Sequence, residues 1–135
     1  MKIYYLLLTV LALSCTSQKV VKSNEGVYKV ISISNDGSPP CNLSLTLKED
    51  TYEFKGVTTA KGKYSLGNEG SEKFIIFLGL KYGETDDRYQ NEDRDVSGSV
   101  LQDTIIIQNY GNSINDFITL RACDEKYIYL VRNKH

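Results

Sequence analysis

The sequence predicts an all-β fold, an eight-stranded antiparallel up-and-down barrel or a strongly curved β-sandwich. Three observations carry that expectation. From Cys41 to Lys48 the residues alternate strictly, with Cys41, Leu43, Leu45 and Leu47 apolar and the residues between them polar. Period two is the pattern of a strand with one buried and one wetted face. The stretches between such runs are short and of turn chemistry: Lys48-Glu49-Asp50, Gly67-Asn68-Glu69-Gly70 and Leu101-Gln102-Asp103. No window shows a helical period that outcompetes the alternation.

Taken in order, the strands are expected at 26–34, 41–48, 51–57, 61–66, 73–80, 95–101, 104–110 and 125–132. The first opens with Gly26-Val27-Tyr28-Lys29-Val30, and the second is the leucine alternation. Thr51-Tyr52-Glu53-Phe54-Lys55 and Lys61-Gly62-Lys63-Tyr64-Ser65-Leu66 repeat the period as the third and fourth. Phe74-Ile75-Ile76-Phe77-Leu78 and Ile105-Ile106-Ile107 are apolar on both faces. Their outer faces are therefore either covered by another element, with 111–122 the natural cover for one of them, or exposed as a patch for a partner. Tyr28, Tyr52, Phe54, Tyr64, Phe74 and Phe77 supply bulk for the interior, which in an eight-stranded barrel is just wide enough to be filled by side chains or to hold one small ligand.

The segment ahead of the domain reads as an address. Lys2 leads into an apolar run from Ile3 to Leu13, followed by Ser14 and Cys15. That is the layout of a secretory signal peptide, and Ala12-Leu13-Ser14 satisfies the small-x-small cleavage rule. The run is well short of the about 20 residues a membrane-spanning helix needs. A cysteine directly after the small residue resembles a bacterial lipobox, which implies cleavage before Cys15 and acylation of its sulfur, with palmitate-type chains as the membrane anchor. The expected organisation is a lipoprotein signal peptide at 1–14, a lipidated Cys15 with a polar tether at 15–25, and one β-domain at 26–135. That domain is long enough to bury its own core.

Lipidation of Cys15 leaves Cys41 and Cys123, an even pair in an oxidising compartment, so a disulfide between them is expected. The bridge bears on the strand count. If 117–122 were a ninth strand, Cys123 would finish it at the end of the meander opposite Cys41, about 20 Å away at about 3.3 Å per residue. With 117–122 as a crossing segment, Cys123 begins the last strand at the same end as Cys41, and the sulfurs can meet. A closed up-and-down barrel also needs an even number of strands. Eight is the reading.

The lipobox, the opening Gly26-Val27-Tyr28-Lys29-Val30, the hairpin from Leu45 to Phe54 and Gly62-Lys63-Tyr64 together resemble the lipocalin-like lipoproteins of Bacteroidota. Lipocalins proper usually carry Gly-x-Trp in the first strand; Tyr28 holds that position here, and the chain has no Trp. The resemblance implies a small barrel in the cell envelope more than an activity.

Catalytic constellations are scarce. The single histidine is His135, the last residue, so no nucleophile has an evident imidazole base. Phosphate loops, metal-spaced His/Cys sets and serine elbows are missing from the sequence. An enzyme is not expected, nor a cofactor or resident metal. The stretch from Lys81 to Asp95 holds six carboxylates and three basic residues; oxygen-rich loops can take Ca²⁺, but the spacing does not fit an EF-hand, and a solvated loop is the expectation. The whole chain has a formal charge of −1, and loss of Lys2 lowers it by one more. Near-balance gives no basic face for nucleic acid.

In a meander alternate connections lie at the same end. The longer ones, around 35–40, 58–59, 81–94 and 111–121, therefore surround one mouth, where small ligands enter barrels. Asn109, Tyr110, Asn112, Asn115 and Asp116 are the expected ligand rim there. Asp103-Thr104-Ile105 resembles the Asp-Ser/Thr-apolar acceptor for O-glycosylation of exported Bacteroidota proteins, which makes Thr104 a candidate modification site. Two function classes remain open: a carrier or sensor taking a small ligand at the open end, and a protein-interaction or inhibitory module of the envelope. Thr16 is not the aspartate that signals inner-membrane retention in enterobacterial lipoproteins, and Thr16-Ser17-Gln18-Lys19-Val20 lacks the acidic run resembling a surface-export signal. The expected location is the outer membrane, lipid-anchored and facing the periplasm.

Overall fold

Alternation along each strand, closed by tight turns, builds a barrel. The computed structural model describes residues 24–31, 41–80, 94–113 and 118–134. Its strands are β1 (Gly26–Val30), β2 (Ser44–Lys48), β3 (Thr51–Lys55), β4 (Thr59–Glu69), β5 (Glu72–Leu80), β6 (Arg94–Leu101), β7 (Thr104–Gln108) and β8 (Tyr127–Arg132). Each pairs antiparallel with the next, and β8 pairs antiparallel with β1, through Tyr28 opposite Arg132 and Val30 opposite Leu130. The sheet is a closed eight-stranded antiparallel barrel, so of the two expected shapes the barrel is the one formed.

Three connections are two-residue turns, at Glu49-Asp50, Gly70-Ser71 and Gln102-Asp103. Each opens on a left-handed residue: Glu49 and Gln102 at φ 54° and Gly70 at φ 60°. That is the twist two-residue hairpins require. They define the tight end of the barrel. The Gly70 turn is so short that β4 runs on to Glu69, where the sequence suggested a longer loop.

Inward positions make the core. Leu45, Leu47, Tyr52, Phe54, Ile75, Phe77, Ile105, Ile107, Ile128 and Leu130 are all buried. Burying each such side chain contributes about 1.5–3 kcal/mol. Tyr52, Phe54 and Phe77 form a triangle of edge-to-face rings with centroids 4.9, 5.3 and 5.7 Å apart, filling the lumen at their level. Of the aromatics expected inside, Phe74 is a correction. It lies on the outer wall, because Phe74 and Phe77 are three residues apart and a strand puts odd separations on opposite faces.

The 118–122 segment contains no strand, consistent with the crossing reading for those residues. Cys41 and Cys123 are disulfide-bonded with Cα atoms 4.8 Å apart. Their strands, β2 and β8, flank β1 as the pairing argument required. Several strands are shorter than expected, all at this end: β1 ends at Val30, β2 starts at Ser44, β3 ends at Lys55, β7 ends at Gln108 and β8 starts at Tyr127. β2 starts at Ser44 because the chain before it turns toward the disulfide. Beyond Gln108 the register of β7 with β8 runs on for one bond, Asn109 N–H donating to Lys126 O at 2.7 Å, before the chain bends at Tyr110.

Candidate functional site

The end carrying the disulfide is where a mouth was expected, and Asn109 decides what it is. Its side chain is fully buried. The amide oxygen accepts from Leu120 N–H at 2.7 Å and Thr119 N–H at 3.1 Å. The amide nitrogen faces the carbonyl oxygens of Cys123 at 2.8 Å, Glu125 at 3.2 Å and Leu120 at 3.3 Å. One side chain thus satisfies the backbone of a whole crossing segment that has no ladder of its own, as buried backbone groups demand. Leu120 and Cys123, held by this clasp, are buried in the core. Asn109 is therefore not a rim residue: every polar atom of its side chain is committed inside the fold.

The other rim candidates divide. Tyr110 is half-buried and donates its hydroxyl to Asp124 O at 3.4 Å, bracing the same segment. Asn112 stands toward the outer wall rather than the lumen. Asn115 and Asp116 lie outside the described residues, as does Cys15. Thr119 is buried beside Asn109, and its Oγ1 has no hydrogen-bond partner among the described residues.

The lumen below the clasp is lined by apolar side chains and one phenol. Tyr52 donates its hydroxyl to Leu78 O at 3.1 Å. Burial, with the Asp95 carboxylate as a smaller cause, pushes that phenol up to about 12, so it stays a neutral donor. Its ring lies over Gly62, where an added Cβ would stand 2.6 Å from the hydroxyl oxygen. The tight end is closed too. Arg132 stacks 5.3 Å from the Tyr28 ring centroid, and its Nη2 and Nε donate to the Tyr28 hydroxyl at 2.8 and 3.2 Å. Tyr28 in turn donates to Asn24 O at 2.7 Å, and Tyr64 donates to Glu49 O at 2.7 Å. Among the described residues, the tight end and the middle of the barrel are thus occupied by its own side chains, and the Asn109 clasp fills part of the other end.

Thr104, the candidate modification site, is the first residue of β7, half-buried and paired to Leu101 and Val131. The preceding Asp103 carboxylate faces Arg132 Nε at 3.9 Å and Lys134 Nζ at 3.5 Å.

Two surfaces remain on the outer wall. Over β2–β4, Glu53 lies 3.2 Å from Lys61 and 3.7 Å from Lys55, and Lys63 lies 3.4 Å from Asp50. The Lys61 ammonium, with Lys55 behind it, holds the Glu53 carboxyl below its usual range, so this face is largely self-neutralised. The same face carries a hollow of about 500 Å³ whose lining includes the charged Lys48, Glu53, Lys61 and Lys63. Over β5–β8 there is a furrow of about 260 Å³, lined by Phe74, Ser97, Ser99, Ile106, Gln108, Asn112 and Tyr127 and floored in part by Gly98. Reading the sequence for ligand groups passed over Ser97, Ser99 and Tyr127. The signal was there in Val96-Ser-Gly-Ser-Val100, whose two serines fall on one face and whose valines fall on the other.

Fold and site together define a disulfide-clasped, eight-stranded β-barrel whose described interior is packed and which carries an uncharged polar-and-aromatic groove on its outer wall. Compared with protein-family models, with curated proteins and with solved structures, the chain has no match in any of the three.

Proposed function

We propose that this protein is a non-catalytic binding module of the cell envelope, working through the outer wall of its barrel rather than carrying a ligand in the lumen. The observation behind it is the filling of the interior. Tyr52, Phe54 and Phe77 pack edge to face across the lumen, and the Asn109 clasp fills part of the end where a ligand would enter. A carrier in the lipocalin manner would need that space and that amide. Ala12-Leu13-Ser14-Cys15 supports acylation of Cys15, and Thr16 with the non-acidic Thr16-Ser17-Gln18-Lys19-Val20 supports an outer-membrane anchor with the domain facing the periplasm.

Native mass spectrometry of the full chain, extracted from its own envelope, tests the first part. The expected species is the polypeptide with its acyl chains and no lumenal molecule. A stoichiometric small ligand whose binding is abolished by Ala60→Leu, a substitution that adds bulk to the lumen, would overturn the outer-wall reading. For the anchor, Cys15→Ala should move the protein from the membrane fraction to the soluble periplasm. Continued membrane association would refute lipid anchoring.

A further inference from the structure

The furrow over β5–β8 has a chemistry of its own. On β6 the residues alternate so that Val96, Gly98 and Val100 face in while Ser97 and Ser99 face out, their hydroxyls about 6.6 Å apart along the strand. The cross-strand neighbours on that outer face are large: Ile76 opposite Ser97, and Phe74 and Ile106 on the two sides of Ser99. Two small residues between rows of large ones leave a trough. Phe74 does not fall into it, because Gly67 lies opposite on β4 and the ring tip rests on that glycine. A side chain at position 67 would collide with the ring and tip it toward Ser99. The pairing of β7 with β8 places Tyr127, 44% exposed, at the far side. Gln108 and Asn112 bring amide groups to the same hollow.

Three properties narrow what would fit. Strands β5 to β8 are paired on both sides, so no free edge is offered and an extended peptide cannot add as a strand. No lining side chain is charged, and the cation beside them, Lys126, lies 5.8 Å from the Tyr127 ring centroid without lining the furrow, so the lining itself favours a neutral guest. A purely apolar guest, such as an acyl chain or a leucine side chain, would strip water from two serine hydroxyls without replacing their hydrogen bonds, a penalty that discriminates strongly against it. What remains is a neutral molecule with an apolar face for Phe74, Ile106 and Tyr127 and a hydroxyl-bearing edge for Ser97, Ser99, Gln108 and Asn112. A pyranose ring has that build, and about 260 Å³ accommodates one ring or two.

We propose that the furrow is a binding site for a neutral saccharide, an assignment that rests on the outer-wall reading above. The test is titration of the isotope-labelled full chain with maltose, cellobiose and N,N′-diacetylchitobiose at millimolar concentration, followed by amide shifts and by saturation transfer to the sugar. At least one of the three should shift Ser97, Ser99, Ile106 and Tyr127 and saturate. The double variant Ser97→Val, Ser99→Val keeps strand propensity and should weaken that binding by about tenfold or more; Tyr127→Ala should weaken it as well. Binding unchanged in the double variant, or no furrow response to any of the three sugars, would overturn the saccharide assignment while leaving the outer-wall reading standing. Saturable shifts at Leu45, Ile75 and Phe77 instead would place the ligand in the lumen and overturn both.

Discussion

Replacing Asn109 should unclasp the capped end, and the structure sets the size of the effect. In Asn109→Ala the Leu120 N–H loses its 2.7 Å acceptor, and an orphaned buried donor costs about 1–3 kcal/mol. Thr119 N–H is protected, since it also reaches the backbone carbonyl of Asn109 at 3.1 Å, and Leu120 O keeps the Cys123 N–H at 3.2 Å. The carbonyls of Cys123 and Glu125 lose the amide nitrogen, which adds about 1 kcal/mol for each bond of ordinary net worth. The expected total is about 3–5 kcal/mol, measured as a lower urea midpoint at unchanged slope with the disulfide intact. Asn109→Asp sharpens the test, because it keeps the shape and turns the donor into an anion facing three carbonyl oxygens. Burial and those oxygens raise the folded pKa of the new carboxyl above its unfolded value of about 3.9. An acid whose folded pKa is raised is least costly when protonated. The deficit should therefore be smallest below about pH 3.9, grow as pH rises, and level off once pH passes the folded pKa. A loss under about 1 kcal/mol for the alanine variant, or an aspartate variant as stable as the parent at neutral pH, would refute the clasp.

Further outcomes follow from the same interior. Replacing Cys41 and Cys123 together by Ala frees a separation of 82 residues and should cost up to about 4.5 kcal/mol in thermal and urea unfolding, with the Asn109 clasp still holding the segment in the native state; retention of parent stability would show that the loop-entropy account fails here. Gly62→Ala places a Cβ 2.7 Å from two Tyr52 ring carbons and should destabilise by about 1–3 kcal/mol, with Tyr52 displaced from Leu78 O in the amide spectrum. Because the Tyr52 phenol is raised to about 12, its part of the stability is constant below about pH 10 and is lost as pH climbs from there toward 12. Tyr52→Phe should flatten that alkaline decline, and equal slopes for the two proteins would exclude Tyr52 as its source.

Strands and turns were legible where one physical rule settles them. The leucine alternation from 43 to 47 puts three side chains in the core whatever surrounds them, since period two and burial of apolar area act locally. Gly70 could be read as a turn residue, because a left-handed φ suits it intrinsically. The cysteine pairing and the even strand count followed from parity and redox compartment. Phe74 was a misreading of legible information, for its odd spacing from Phe77 already assigns it to the other face.

Asn109 was different in kind. An amide after a strand, in a polar stretch, reads as a turn or rim residue, and nothing local says otherwise. Its five partners lie on residues 119 to 125, in the connection between β7 and β8, and the pairing of those strands, together with the disulfide, carries those backbone groups to it. The furrow has the same origin. The two outward serines belong to β6 alone and could be read from it, but Tyr127 becomes their neighbour through the pairing of β6 with β7 and of β7 with β8. By itself the sequence determined what each strand buries and where it turns, because those preferences are set within a few residues. Which polar group meets which was decided by the register between neighbouring strands, an energy that exists only once the sheet has formed.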